Sequence, residues 1–228
     1  MNQIQAAFVW LNDPINWSGP NGILALTGEH LLMTALAVLL AAVVALPVGI
    51  VLGHVPGAER AASITVVLTN VSRALPTLAL LTIFASTAIG FGNRPTILAA
   101  AIFALPVILA NTYAGLRGVD ADVRDAARGM GLSGWRVLGQ VELPLALPLI
   151  TAGLRTATVQ VIATIPLAAL VGGGGLGTII VAGFGTQRYG QVLAGGVLVA
   201  ALCLAVEGVL ALAQRLLTPA PVLALQRS

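Results

Sequence analysis

The sequence predicts an all-α integral membrane protein with five principal transmembrane helices, and three observations carry that prediction. Of 228 residues, 58% are hydrophobic and 8% are charged, against about 25% charged in ordinary soluble domains. Long uncharged runs occupy Leu31–Gly53, Ala74–Asn93, Pro95–Leu116, Thr156–Gln187 and Tyr189–Val206, on the scale of the roughly 18 apolar residues that mark a span. These runs are continuous rather than alternating, which excludes the strands of an outer-membrane barrel.

Taken in order, the chain opens with an outer segment, residues 1–28, carrying Trp10 and Trp17, whose indole rings favour a membrane interface. It has no basic leader region, and Asp13-Pro14 breaks its apolar stretch, so no secretory signal is expected. The membrane domain spans 29–214. Its first span runs from about Glu29 to Gly53, and a short turn, His54–Arg60, leads to the second. That second span contains Arg73 and Pro76, and a proline there frees a carbonyl and predicts a kink. The third span ends near Tyr113, a polar loop fills 117–143, the fourth span reaches about Val171, and the fifth runs from about Gly190 to Ala213. The glycine-rich stretch after Gly172 has room for a short re-entrant helix, and residues 215–228 form a tail.

Charge sets the orientation. All 11 basic residues are arginine, a bias that hints at a GC-rich bacterial genome. Placing the polar loop in the cytoplasm puts Arg60, Arg117, Arg124, Arg128, Arg136, Arg215 and Arg227 inside and only Arg94 and Arg188 outside. The positive-inside rule then sets the N-terminus outside and the C-terminus in the cytoplasm. The same placement accounts for the pI near 10.0 without nucleic-acid binding, since the net charge is only +3. Cys203 is the single cysteine, so no intrachain disulfide forms.

The polar loop is the most unusual stretch. Asp120 is a favoured N-cap for a helix bearing Val123, Ala126, Ala127 and Met130 on one modest apolar face, and Gly129 or Gly131 is available to end it. Ser133 is placed to cap a second helix with Trp135, Leu138 and Val141, which Pro144 is expected to stop. On spacing alone the pair reads equally as an interfacial helix pair resting on lipid or as a docking site for another protein.

The pattern acidic-Ala-Ala-x₃-Gly-x₉-aliphatic-x-Leu-Pro resembles the coupling-loop motif of permease subunits of bacterial ABC importers. It is carried here by Asp125, Ala126, Ala127, Gly131, Val141, Leu143 and Pro144, with aspartate in place of the usual glutamate. Residues 111–120, the Gly-Met-Gly that follows, 163–177 and 72–79 resemble the osmoprotectant subgroup. The resemblance implies the type I ABC importer permease fold and import of a quaternary-ammonium solute: glycine betaine, choline, carnitine or proline betaine. An importer for another small solute, such as an amino acid, shares the general layout. It further implies a second permease, identical or paralogous, and ABC ATPase subunits docked on the coupling loops. An extracytoplasmic binding protein and the lipid of a bacterial cytoplasmic membrane complete the setting. The permease itself is then not an enzyme and holds no cofactor, ATP and magnesium belonging to the ATPase.

Weaker signals remain. Gly172-x-Gly174-x-x-Gly177 fits a dinucleotide fingerprint, but it follows an apolar span and has no acidic residue at the expected distance. Turn formation or close backbone packing near the translocation path explains the glycines better. Arg73 and Glu207 are ionisable groups inside apolar runs; each reads either as a pathway-lining group or as a paired or snorkelling structural one. Arg155 reads as an interfacial anchor, His30 and His54 lie too far apart along one span to share a metal, and Gly49-x₃-Gly53 permits close helix packing.

Overall fold

A computed structural model describes residues 2–55, 57, 67 and 76–217. Every described element is helical. Helix α1 is Gln3–Asn12 and a 3-10 turn covers Pro14–Asn16; α2 is Ile23–His54, α3 Thr77–Ala85 and α4 Asn93–Arg117. The polar loop holds α5, Ala121–Gly129, and the four-residue α6, Gly134–Val137, followed by a π-turn over Leu138–Glu142. Then come α7, Leu143–Thr164, a 3-10 stretch over Ile165–Val171, α8, Gly177–Gly185, and α9, Tyr189–Leu217.

Among the described residues, four helical stretches are long and apolar enough to cross a membrane: Ile23–His54, Asn93–Arg117, Gly134–Val171 and Tyr189–Leu216. The second expected span falls mainly outside the described residues, and so does Arg73. Three boundaries differ from expectation, one of them the end of the last helix, which runs to Leu217 rather than to about Ala213. The first long helix starts at Ile23, not near Glu29, because Gly22 turns the chain and its amide bonds to the Gly19 carbonyl. The third span continues to Arg117 rather than ending near Tyr113, since nothing at Tyr113 interrupts the ladder.

The chain divides into two compact units. Unit 1 comprises Met1–Leu40, Leu75–Ala104 and Thr158–Glu207. Its apolar centre is Ile23, Leu26, Leu176 and Ile179, with Trp10 and Leu11 of α1 and its turn packed against them. Helix α1 lies close on the start of α9: a Cβ at Gly190 would stand 2.5 Å from the Cβ of Ala6. Unit 2 comprises Ala41–Ala74, Leu105–Ala157 and Gly208–Ser228, centred on Leu116, Leu138, Ala146 and Ile150. Here Gly49 and Gly53 do serve close packing, since Cβ atoms on them would lie 2.8 Å and 2.6 Å from the Cβ atoms of Thr112 and Leu116. Small residues let helix backbones approach where lipid supplies no hydrophobic drive.

Candidate functional site

Helix α5 is built from local signals. The Asp120 carboxylate accepts the Asp122 amide at 2.8 Å, Asp122 sits in the first turn and Arg128 in the last; such charges complement the helix dipole. The helix ends in a Schellman motif. The Gly131 amide bonds to the Arg128 carbonyl at 2.9 Å, the Leu132 amide to the Ala127 carbonyl at 3.2 Å, and Gly131 takes φ +84°. That backbone region is costly for side chains carrying a Cβ. Gly131 is therefore the stop, and Gly129 is the last helical residue.

The seven motif residues divide by exposure. Asp125, Ala126 and Gly131 face solvent, Ala127 is buried, and Val141, Leu143 and Pro144 are half-buried. Leu143 packs against Leu116, Leu138, Ala146 and Ile150. Asp125 forms an ion pair with Arg128 at 3.6 Å, and both are exposed. The expected apolar face comprises Val123, Ala126, Ala127 and Met130. Ala127 alone is covered; Val123, Met130 (78% exposed) and Trp135 (79% exposed) project outward.

Two expectations about the second helix are corrected. Ser133 makes no side-chain cap; its carbonyl instead accepts the amides of Arg136 and Val137 at 2.8 Å and 2.9 Å. Pro144 does not stop the helix. It is the second residue of α7, and the Leu143 amide reaches back five residues to the Leu138 carbonyl. Proline lacks the amide that would extend this wide turn and fits the first turn of the helix that follows.

Beneath α5 lies a polar cluster that the motif does not include. Glu142 is fully buried. His54 Nδ1, on the last residue of α2, lies 2.5 Å from its Oε2, and Arg124 Nε, on α5, lies 3.3 Å from its Oε1. The Arg124 guanidinium also donates to the Leu116 carbonyl near the end of α4. The Trp135 ring stacks on His54 with centroids 6.2 Å apart. The available signal in sequence was one acid bordering an apolar run.

A second polar cluster sets the glycine loop of unit 1. Gly172 and Gly175 take positive φ, which supplies the sharp turn. Four successive amides are already bonded: Gly173 to the Ala168 carbonyl, Gly174 to Asn93 Oδ1, Gly175 to Glu29 Oε2 and Leu176 to His30 Nδ1. The amides a phosphate would need are thus committed to the protein. Of the remaining named residues, Pro76 precedes α3 with an extended backbone, φ −62° and ψ 120°. Glu207 is partly buried within α9, and Arg155 donates to Gln214 at 3.0 Å.

An all-helical membrane chain with an exposed, glycine-stopped helix on a polar loop corresponds to a known class. The chain belongs to the family of binding-protein-dependent transport system inner membrane components, which it matches over residues 45–219. Within that family it is 36% identical to the glycine betaine/carnitine/choline transport system permease protein OpuCB of Bacillus subtilis, over 92% of this chain and 95% of that one. It is 38% identical to the choline transport system permease protein OpuBB of the same organism, over 85% of this chain and 88% of that one. The fold is that of type I ABC importer permeases: a chain of the MetNI methionine ABC transporter, in inward-facing form, superposes with TM-score 0.74 at 23% identity, covering 86% of this chain and 96% of that chain.

Proposed function

We propose that this chain is the permease subunit of an ATP-driven importer for a quaternary-ammonium compatible solute, with α5 as the docking helix for a cytoplasmic ATPase. The observation that carries the docking is the exposure of Met130 and Trp135 beside a rigidly capped helix. Apolar side chains projecting together from a polar segment mark a protein contact. Asp125, Ala126 and Gly131 present the rest of that surface, while Ala127, Val141, Leu143 and Pro144 hold it to the membrane domain. The solute class follows from the relatives named for glycine betaine, carnitine and choline.

In this reading the chain performs no bond chemistry. ATP hydrolysis in the partner moves α5, and the long helices rearrange around a second permease while an extracytoplasmic binding protein supplies solute. Arg73, Pro76 and Glu207 are proposed to border the pathway, with the N-terminus outside and the C-terminus in the cytoplasm. The test is uptake of labelled glycine betaine by proteoliposomes holding the assembled transporter. Uptake should require ATP and fall with excess unlabelled choline or carnitine but not methionine. Competition by methionine alone would assign the chain to amino-acid import.

A further inference from the structure

Glu142 occupies the unspecified position of the docking motif, between Val141 and Leu143, yet its side chain is fully buried. Burying a carboxylate is expensive, and an apolar residue of similar volume would often serve packing equally well. Its environment indicates a different use. Arg124 reaches it from the docking helix, His54 from the end of α2, and Glu142 itself belongs to the π-turn leading into α7. Through its bond to the Leu116 carbonyl, Arg124 also ties the group to the end of α4. One carboxylate thus connects the docking helix to α2 and α7, and its partner Arg124 adds the end of α4.

The connection adds to the covalent tethers of α5, which are short glycine-bearing turns. Gly118, Val119 and Asp120 precede it, and the glycine stop at Gly131 follows. Turning α5 about them means separating Arg124 from a buried anion, and breaking such a pair is strongly unfavourable.

We propose that Glu142 is a positioning residue that makes α5 move as one body with the ends of α2, α4 and α7. This rests on the docking of an ATPase on α5 proposed above. The test uses the full transporter, with its ATPase, in proteoliposomes, measuring solute uptake and ATP hydrolysis on the same vesicles. Glu142→Gln and Arg124→Gln should each lower the solute moved per ATP hydrolysed about fivefold, within the range by which residues outside both sites alter coupling. The double variant should be no worse than the poorer single, as holds for partners in one interaction.

An unchanged ratio in Glu142→Gln overturns the proposal, including the case where uptake and hydrolysis fall together. Losses that multiply in the double variant also overturn it. Should Glu142→Gln fail to assemble, His54→Gln, at the partly exposed edge of the cluster, provides the same ratio, and an unchanged value there is equally fatal. Failure of the unaltered chain to associate with any ATPase would defeat the docking reading and this inference with it. Coupled transport by both the unaltered chain and Glu142→Gln defeats this inference alone.

Discussion

Glu142 is fully buried and Glu29 partly buried, and the two carboxylates face different kinds of partner. Glu29 accepts from the Asn93 side-chain amide at 2.6 Å and from the Gly175 backbone amide at 3.1 Å. Its donors are neutral, and through Gly174, Gly175 and Leu176 the surrounding side chains grip the main chain of one loop. Glu142 faces His54 and Arg124, two basic side chains on separate helices. A carboxylate set against peptide amides specifies one loop shape. A carboxylate set between basic side chains joins separate helices to one another.

Removing each acid is the strongest way to break that contrast. Glu142→Ala is expected to lower stability in detergent by about 3 kcal/mol, since Arg124 loses its buried anion. Glu29→Ala, which strands neutral donors, should cost about 1–2 kcal/mol. Equal shifts in thermal unfolding would erase the distinction between a charged and a neutral anchor.

A smaller effect sharpens the picture of the Glu29 grip. A Cβ at Gly174 would overlap the Glu29 carboxylate, so Gly174→Ala should destabilise by about 2 kcal/mol, as overpacking does. Combining it with Glu29→Ala removes the obstacle, and the two losses should then add to less than their sum. Full additivity would place the clash elsewhere.

The smallest effect belongs to the glycine stop of α5. Nothing lies within 4 Å of a Cβ at Gly131, so Gly131→Ala should cost only the backbone strain of its positive φ, about 1 kcal/mol. Gly131→Asn should cost less, because asparagine visits that region readily. If asparagine and alanine impair uptake equally, the position is sensitive to the added side chain and not to backbone conformation.

What could be read from sequence was whatever has a local cause. The membrane class, the cap at Asp120, the glycine stop and the turn at Gly172 each depend on residues a few positions apart, and each appears as expected. Pro144 was misleading because the missing amide that ends one helix also suits the start of another. The spacing placed Val123, Ala127 and Met130 on one face, but periodicity gives a face and not its direction, so the burial of Ala127 and the exposure of Met130 came only from the structure. The two acid clusters were illegible because their partners are remote in the chain: His54 lies 88 residues from Glu142, and Gly175 lies 146 from Glu29.

The π-turn at Leu138–Glu142 has a further consequence. One surplus residue in a helical turn shifts the angular phase of everything before it by about 100° relative to an uninterrupted helix. Upstream, side chains such as Trp135 are then aimed independently of those downstream that must face lipid or the protein interior. The turn acts as a phase adjuster between two surfaces with unrelated requirements. Upstream side chains are thereby re-aimed while the membrane-facing register downstream stays where it is.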